Sequence, residues 1–212
     1  NNLKKTAYQK KNTNNGSDNQ YDMLKQLSLS HGDFNKLIKY CKKINIKFLA
    51  SVFDITSLNY LKKKSKIIKI GSSEISNFFL LKEVAKLNKK LIISTGMCDF
   101  TLIKKALNLL YKNGQDKKKI TLLHCNSAYP TPLSDANILT MNKLKNIFKV
   151  SVGYSDHTLG KETVYAAVAL GAEIIEKHFT LNKNLKGPDH KISLDLSEFK
   201  EMVNGIRNIT NT

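Results

Sequence analysis

Six short apolar runs, spaced roughly 20 to 30 residues apart, constrain this chain more than any other feature, because each gap has room for one helix. The runs are "KFLASVF" (47–53), "IIKIGSS" (67–73), "KLIISTGM" (90–97), "ITLLHCNS" (120–127), "FKVSVGYSDH" (148–157) and "EIIEKHFT" (173–180). Between them lie "ITSLNYLKKK", "FLLKEVAKLNKK", "FTLIKKALNLLYKNG", "NILTMNKLKNI" and "KETVYAAVALGA", each with apolar residues at helical spacing. "LSEFKEMVNGIRNI" closes the chain in the same way. The alternation predicts repeated β-α units and a parallel sheet.

An open doubly wound sheet and a closed barrel share that rhythm. In an open sheet the chemistry gathers near one switch point. Here every run ends in polar or small residues, at Ser51, Ser72, Ser94, Ser127, His157 and His178. A barrel turns all such ends toward one mouth. No run leads into a GxGxxG turn, which also favours the barrel. The closed form needs eight strands, and about six are present, so the fold expected is α/β, an incomplete TIM (β/α)8 barrel. The simplest account is a piece lacking two β-α units. Before the first run, Ser30 and Asp33 are cap candidates for a helix carrying Phe34, Leu37, Ile38 and Cys41. Residues 1–20 are polar, rich in Asn and Lys, and are expected to be a loop or tail, leaving 21–212 as the partial barrel domain.

The chain has 212 residues and a formal charge of +18, which raises the question of an acidic polymer as partner. Arg207 is its one arginine, and its lysines are scattered among Asn and Ile rather than clustered. Arginine is the preferred residue for phosphate forks and base edges, so a solvated basic surface is expected, with no nucleic acid. No run of about 18 apolar residues exists, so no membrane span is expected. The N-terminal residues carry no apolar signal-peptide core, and Cys41, Cys98 and Cys125 show no CxxC spacing. Both point to a reducing cytoplasm.

Strand alternation picks out the chemistry. Residues i and i+2 share a face, so Glu176 and His178 point with Ile174, while Lys177 points toward the helices, where its stem can snorkel. Gly153, Ser155 and His157 share a face of the preceding run. Two imidazoles at adjacent strand ends, with carboxylates nearby, suit a divalent transition metal with open positions. Lys69 sits mid-run between Ile68 and Ile70 and faces the interior. A buried ammonium needs an anion, either a phosphate or carboxylate ligand or Glu176. Ser72, Ser94 and Ser155 are hydroxyl donors for the same anion. "HCNSAYPTP" supplies Ser127 and Tyr129, the latter beside stiffening prolines. "KGPDHK" presents Asp189 on a turn over the mouth.

These motifs together resemble the N-acetylneuraminate (sialic acid) synthase family, which includes the legionaminic acid synthases. The likeness runs through "YQKKNT", "NQYDML", "KIGSSEISN", "ISTGM", "LLHCNSAYPTP", "VGYSDHTLG", "ALGAEIIEKHFTL" and "GPDHK". It implies a TIM barrel that condenses phosphoenolpyruvate with an N-acetylated hexosamine such as N-acetylmannosamine, releasing phosphate and a nine-carbon 2-keto acid. By motif, His157 and His178 are similar to the family's metal ligands. The metal is a divalent ion, usually manganese, with magnesium or cobalt as alternatives. Lys69, Ser72, Ser94, Ser127 and Ser155 resemble the groups that hold phosphoenolpyruvate. Tyr129, Glu176 and Asp189 resemble those that contact the amino sugar. Ser51 stands where the family's "STPFD" has Thr, within "ASVFD" here, and is a further substrate-binding candidate. The family's opening "EIG-NH-G" and "KFQ" motifs and its C-terminal antifreeze-like domain are missing from these residues. The resemblance therefore implies the central part of a synthase, inactive alone and a homodimer when full length. The alternatives are a pseudaminic-type synthase, an inactive remnant and a basic nucleic-acid-binding protein.

Overall fold

The structure is a computed structural model and describes residues 3–13 and 18–212. The chain divides into two compact units, one formed by the stretch up to Phe48 with His178–Phe199, the other by Leu49–Lys177 with Lys200–Thr212.

The second unit holds the sheet. Its strands are β1 (Ser51–Val52), β2 (Ile67–Ile70), β3 (Lys90–Ser94), β4 (Ile120–Cys125), β5 (Ser151–Asp156) and β6 (Ile175–Lys177). All neighbours are parallel, and their spatial order follows chain order without reversal. A doubly wound sheet must reverse its order once, so this is a half-barrel of six parallel strands. The connecting helices are Ile55–Leu61, Phe78–Ala85, Phe100–Lys112, Thr140–Phe148 and Glu162–Ala169. Asp54, Asn77 and Asp99 cap the first three by accepting backbone N–H groups, as Asn and Asp do at helix starts.

Register explains the apolar runs. Val52, Ile70, Ile93, Leu122 and Val152 stand opposite one another in sequence across five strands, and none is more than 1% exposed. That row is the core between sheet and helices. The opposite face carries Lys69, Ile92, Leu123, Gly153 and Ser155. A Cβ on Gly153 would lie 2.3 Å from the Ile174 carbonyl oxygen, so only glycine lets β6 close onto β5 here. The paired strands are shorter than the apolar runs. Only Ser51–Val52 of residues 47–53 and Ile175–Lys177 of residues 173–180 join the six-stranded sheet, because apolar character marks burial while pairing needs a backbone neighbour.

In the first unit the stretch expected to be a tail is partly helical. Ala7–Asn12 forms a helix whose Gln9 side chain accepts the Thr6 N–H at 3.0 Å. Lys4 and Asn19 form an antiparallel bridge. Residues 1, 2 and 14–17, also part of that expectation, lie outside the described residues. Helices Gln20–Leu27 and His31–Lys43 follow, and Ser30 and Asp33 cap the latter reciprocally. The His31–Lys43 helix buries none of its residues, leaving Leu37 and Tyr40 exposed. Phe179 bridges to Leu194 in parallel, and its ring meets Phe199 edge-on at 5.3 Å. A final helix spans Leu196–Thr210.

Behind the sheet, buried His124 lies 5.8 Å from the Tyr154 ring and donates Nε2–H to the Ala136 carbonyl at 2.9 Å. Burial pushes its pKa below the ordinary 6.5, against a smaller upward pull from that hydrogen bond. The unfolded chain therefore takes up the proton first as pH falls, and stability from neutral His124 is present above about 6.5 and lost below it. His124→Gln is expected to flatten the acid side of the Tm–pH curve relative to the parent, measured by thermal denaturation between pH 7 and 5.

Candidate active site

The sheet's C-terminal edge gathers the polar side chains. Lys69, on the inner face of β2, is only 6% exposed. Its Nζ donates to Ser94 Oγ at 2.8 Å and pairs with Glu176 Oε2 at 3.3 Å. Ser155 Oγ donates to the other Glu176 oxygen at 2.8 Å. One chain of polar contacts thus links β3, β2, β6 and β5. Of the partners open to Lys69, the structure supplies Glu176, whose side chain remains 41% exposed. Ser51 stands opposite Lys69 in register and shares its face.

A second cluster surrounds Gly96, just past β3. Its N–H donates to Ser72 Oγ at 2.9 Å and meets Cys125 Sγ at 3.1 Å. A Cβ on Gly96 would come within 2.6 Å of Ser127 Oγ and 3.0 Å of both Ser72 Oγ and Cys125 Sγ. This position must be glycine for Ser72 and Ser127 to converge. The Cys98 thiol reaches the Gly96 carbonyl at 3.2 Å. Burial, with smaller contributions from Cys125 and Asp99, pushes its pKa up to about 11, so it remains a thiol at neutral pH.

His157 follows β5 directly. Its Nδ1–H donates to the Asn126 carbonyl at 2.5 Å, which fixes the tautomer and puts the ring's lone pair on Nε2. That is the donor atom a divalent transition metal takes, and a carbonyl on the other nitrogen is its usual support. The Tyr129 ring lies 4.1 Å from the imidazole at 30°. Thr131 N–H donates to the His157 carbonyl at 2.9 Å. Loop 126–131 therefore holds both the ring and the backbone of His157.

His178 and Asp189 belong to the first unit. Nδ1 of His178 lies 3.8 Å from Asp189 Oδ2, and the His178 carbonyl accepts the Leu194 N–H. Asp189 Oδ1 is buried without a hydrogen-bond partner in the structure. The Ala7–Asn12 helix supports the loop, since Asn12 Nδ2 donates to the Pro188 carbonyl at 2.7 Å. Burial and then the Asp189 charge raise the Tyr8 pKa, so Tyr8 stays protonated beside that carboxylate. "YQKKNT" and "GPDHK", far apart in sequence, thus meet. Among the described residues, no group of three or more His, Cys, Asp or Glu side chains is placed to hold a metal ion.

The expectation for Lys177 is overturned. Lys177 does not snorkel. Its ammonium is buried against Asp156 Oδ2 at 2.6 Å, and the two side chains are 1% and 0% exposed. A stem three residues from the end of a run has room to reach water, but a carboxylate directly opposite in register holds it inside. The sequence reading missed Asp156 for that reason. It also missed the Asn126 carbonyl and the Gly96 N–H, which are backbone groups with no side-chain signature.

A half-barrel of parallel strands, with a lysine, serines and a tautomer-fixed histidine at its C-terminal edge, defines an α/β scaffold of the TIM-barrel type. The chain belongs to the NeuB family, whose pattern it matches over residues 1–212. It is 50% identical over 207 residues to the N,N'-diacetyllegionaminic acid synthase of Campylobacter jejuni, covering 97% of this chain and 62% of that protein. It is 41% identical to the N,N'-diacetyllegionaminic acid synthase of Legionella pneumophila, covering 97% of this chain and 58% of that one. The crystal structure of N-acetylneuraminic acid (sialic acid) synthetase from Leptospira borgpetersenii, in complex with citrate, superposes with a TM-score of 0.83 at 36% identity. The superposition covers 89% of this chain and 65% of that one. The chain thus spans less than two thirds of the length of these relatives. No described helix is long and apolar enough to cross a membrane.

Gly96→Ala is expected to push Ser127 and Ser72 apart and to destabilise the fold by about 1 to 3 kcal/mol, the scale for forcing extra atoms into a packed site. Urea denaturation against the parent checks it.

Proposed function

We propose that the intact protein condenses phosphoenolpyruvate with an N-acetylated hexosamine to give a sialic-type nonulosonic acid and phosphate. The observation that carries this reading is Lys69, a nearly buried ammonium whose one carboxylate partner is itself exposed. An incoming phosphate or carboxylate can displace or share that partner without first crossing a desolvation barrier at the lysine. Ser94 and Ser155 stand ready on either side as hydroxyl donors, and Ser72, Ser127 and the Gly96 N–H form a second set for the rest of the anion.

The chemistry balances without an external oxidant. C3 of phosphoenolpyruvate attacks the sugar's aldehyde carbon, and the aldehyde oxygen gains a proton. Water adds at C2, and phosphate leaves by C–O cleavage. Glu176 stands beside the positive charge that develops at C2 and stabilises it electrostatically. Ser155 orients one Glu176 oxygen and Lys69 pairs with the other, which opens to water or a sugar hydroxyl once an incoming anion takes its place on Lys69. Tyr129, ordered against His157, and Asp189 contact the amino sugar, and Ser51 lines the same face. His157 and His178 would hold a divalent metal, manganese first, and its chemistry when bound is to polarise the sugar aldehyde. Likeness to two proteins named N,N'-diacetyllegionaminic acid synthase supports an acceptor that carries two acetamido groups. The three cysteines are unpaired thiols, in keeping with a cytoplasmic enzyme, and the homodimer implied by the resemblance is part of the same proposal.

The assay supplies intact protein with manganese, phosphoenolpyruvate and either sugar, and follows phosphate release. Lys69→Met is expected to lower kcat/KM for phosphoenolpyruvate by at least about a hundredfold, the scale for removing a charged group from a bound anion. Chelation with EDTA is expected to abolish turnover and manganese to restore it. Sugar-dependent phosphate release that survives Lys69→Met unchanged overturns the reading.

A further inference from the structure

On the face of β5 and β6 turned away from Ser155 and Glu176, Asp156 stands directly opposite Lys177. Lys177 Nζ donates to Asp156 Oδ2 and to the Thr158 carbonyl, both at 2.6 Å. Asp156 Oδ1 accepts the Thr158 N–H at 2.9 Å. Tyr154 adds a hydroxyl hydrogen bond to Asp156, which with burial keeps that phenol protonated. Thr158 Oγ1 in turn meets Thr163 Oγ1 at 2.9 Å, tying the cluster to the following helix. Neither charged side chain is more than 1% exposed.

A pair this deeply buried adds little stability over well-packed apolar residues, because desolvation offsets most of the attraction. Its effect is directional. Asp156 and Lys177 together grip both backbone groups of Thr158, so the residues on either side of His157 are clamped. The same pair locks the register of β6. A slip of one residue would bring Lys177 to the inner face beside Lys69 and send Glu176 among the helices. Like charge on one side and an unpaired carboxylate on the other make that slip prohibitive.

We propose that Asp156 and Lys177 are a positioning pair that holds His157 and Glu176 in place from behind the sheet. The proposal builds on the synthase reading for its purpose, yet concerns geometry that can be read without turnover. Neither residue touches substrate. Their role is to keep the imidazole on the Asn126 carbonyl and the Glu176 carboxylate between Lys69 and Ser155.

The test is the double variant Asp156→Leu with Lys177→Met in the intact protein, which removes both charges at similar volume. Long-range 1H–15N spectra of metal-free protein report the His157 tautomer. The parent is expected to show a single Nδ1–H form, and the folded double variant a mixture. Manganese affinity, followed by the electron paramagnetic resonance of the free ion, is expected to fall about 10- to 100-fold, the usual cost of losing outer-shell support. The kcat is expected to fall on the same scale. If the apolar pair does not fold, Asp156→Asn with Lys177→Gln keeps the shape without the charge and is read identically. A folded double variant that keeps the single tautomer and the parent's manganese affinity overturns the proposal. A parent that never releases phosphate overturns the synthase reading instead, while the tautomer still decides the positioning role.

Discussion

An ammonium on the inner face of a sheet must find negative charge, and much of this site follows from that demand at Lys69. Fully unpaired, it would cost several kcal/mol in a low-dielectric interior. Glu176 answers from β6, four strands beyond the β2 that carries Lys69, and Ser155 and Ser94 complete the hydrogen bonding. The contact joins strands far apart in the sheet order, so it is available only because the sheet curves back on itself. That one contact ties β2 to β6 across the inner face.

β6 carries two ion pairs on opposite faces, and they differ in the property that matters for function. Glu176 remains 41% exposed while its partner is nearly buried, so water and ligand can reach one side of the pair. Lys177 and Asp156 are sealed. An open pair can exchange its anion at modest cost. A sealed one cannot be parted without stranding a charge, a loss of about 3 to 5 kcal/mol in comparable cases. The inner pair is therefore suited to binding and the outer pair to holding. Glycine works on both strands' behalf, because Gly153 lets the β6 backbone approach and Gly96 lets two serines and a thiol crowd one amide.

Much of the fold was legible before any coordinates. The rhythm of apolar runs identified all six strands and the helices between them, because period-two and period-3.6 patterns follow directly from which side chains must be buried. Lys69 stood out because a lysine between isoleucines is chemically costly, and Glu176 because alternation put it on the same face. Strand lengths were less legible, as at residues 47–53, since hydrophobicity records burial and not pairing. The Ala7–Asn12 helix was invisible for a related reason. Its sequence is polar, and what orders it includes contacts to Pro188 and the Asp189 loop some 176 residues away.

The sequence alone determined the α/β class, the inward face of each strand and the kinds of side chain at the strand ends, since all three depend on local periodicity and on the cost of burying charge. Tertiary structure decided the partners. It matched Lys69 with Glu176 and Lys177 with Asp156, set the Asn126 carbonyl against His157, and brought "YQKKNT" to "GPDHK". Those choices depend on register and on backbone groups that every residue carries alike, so no pattern of side chains along the chain could have announced them.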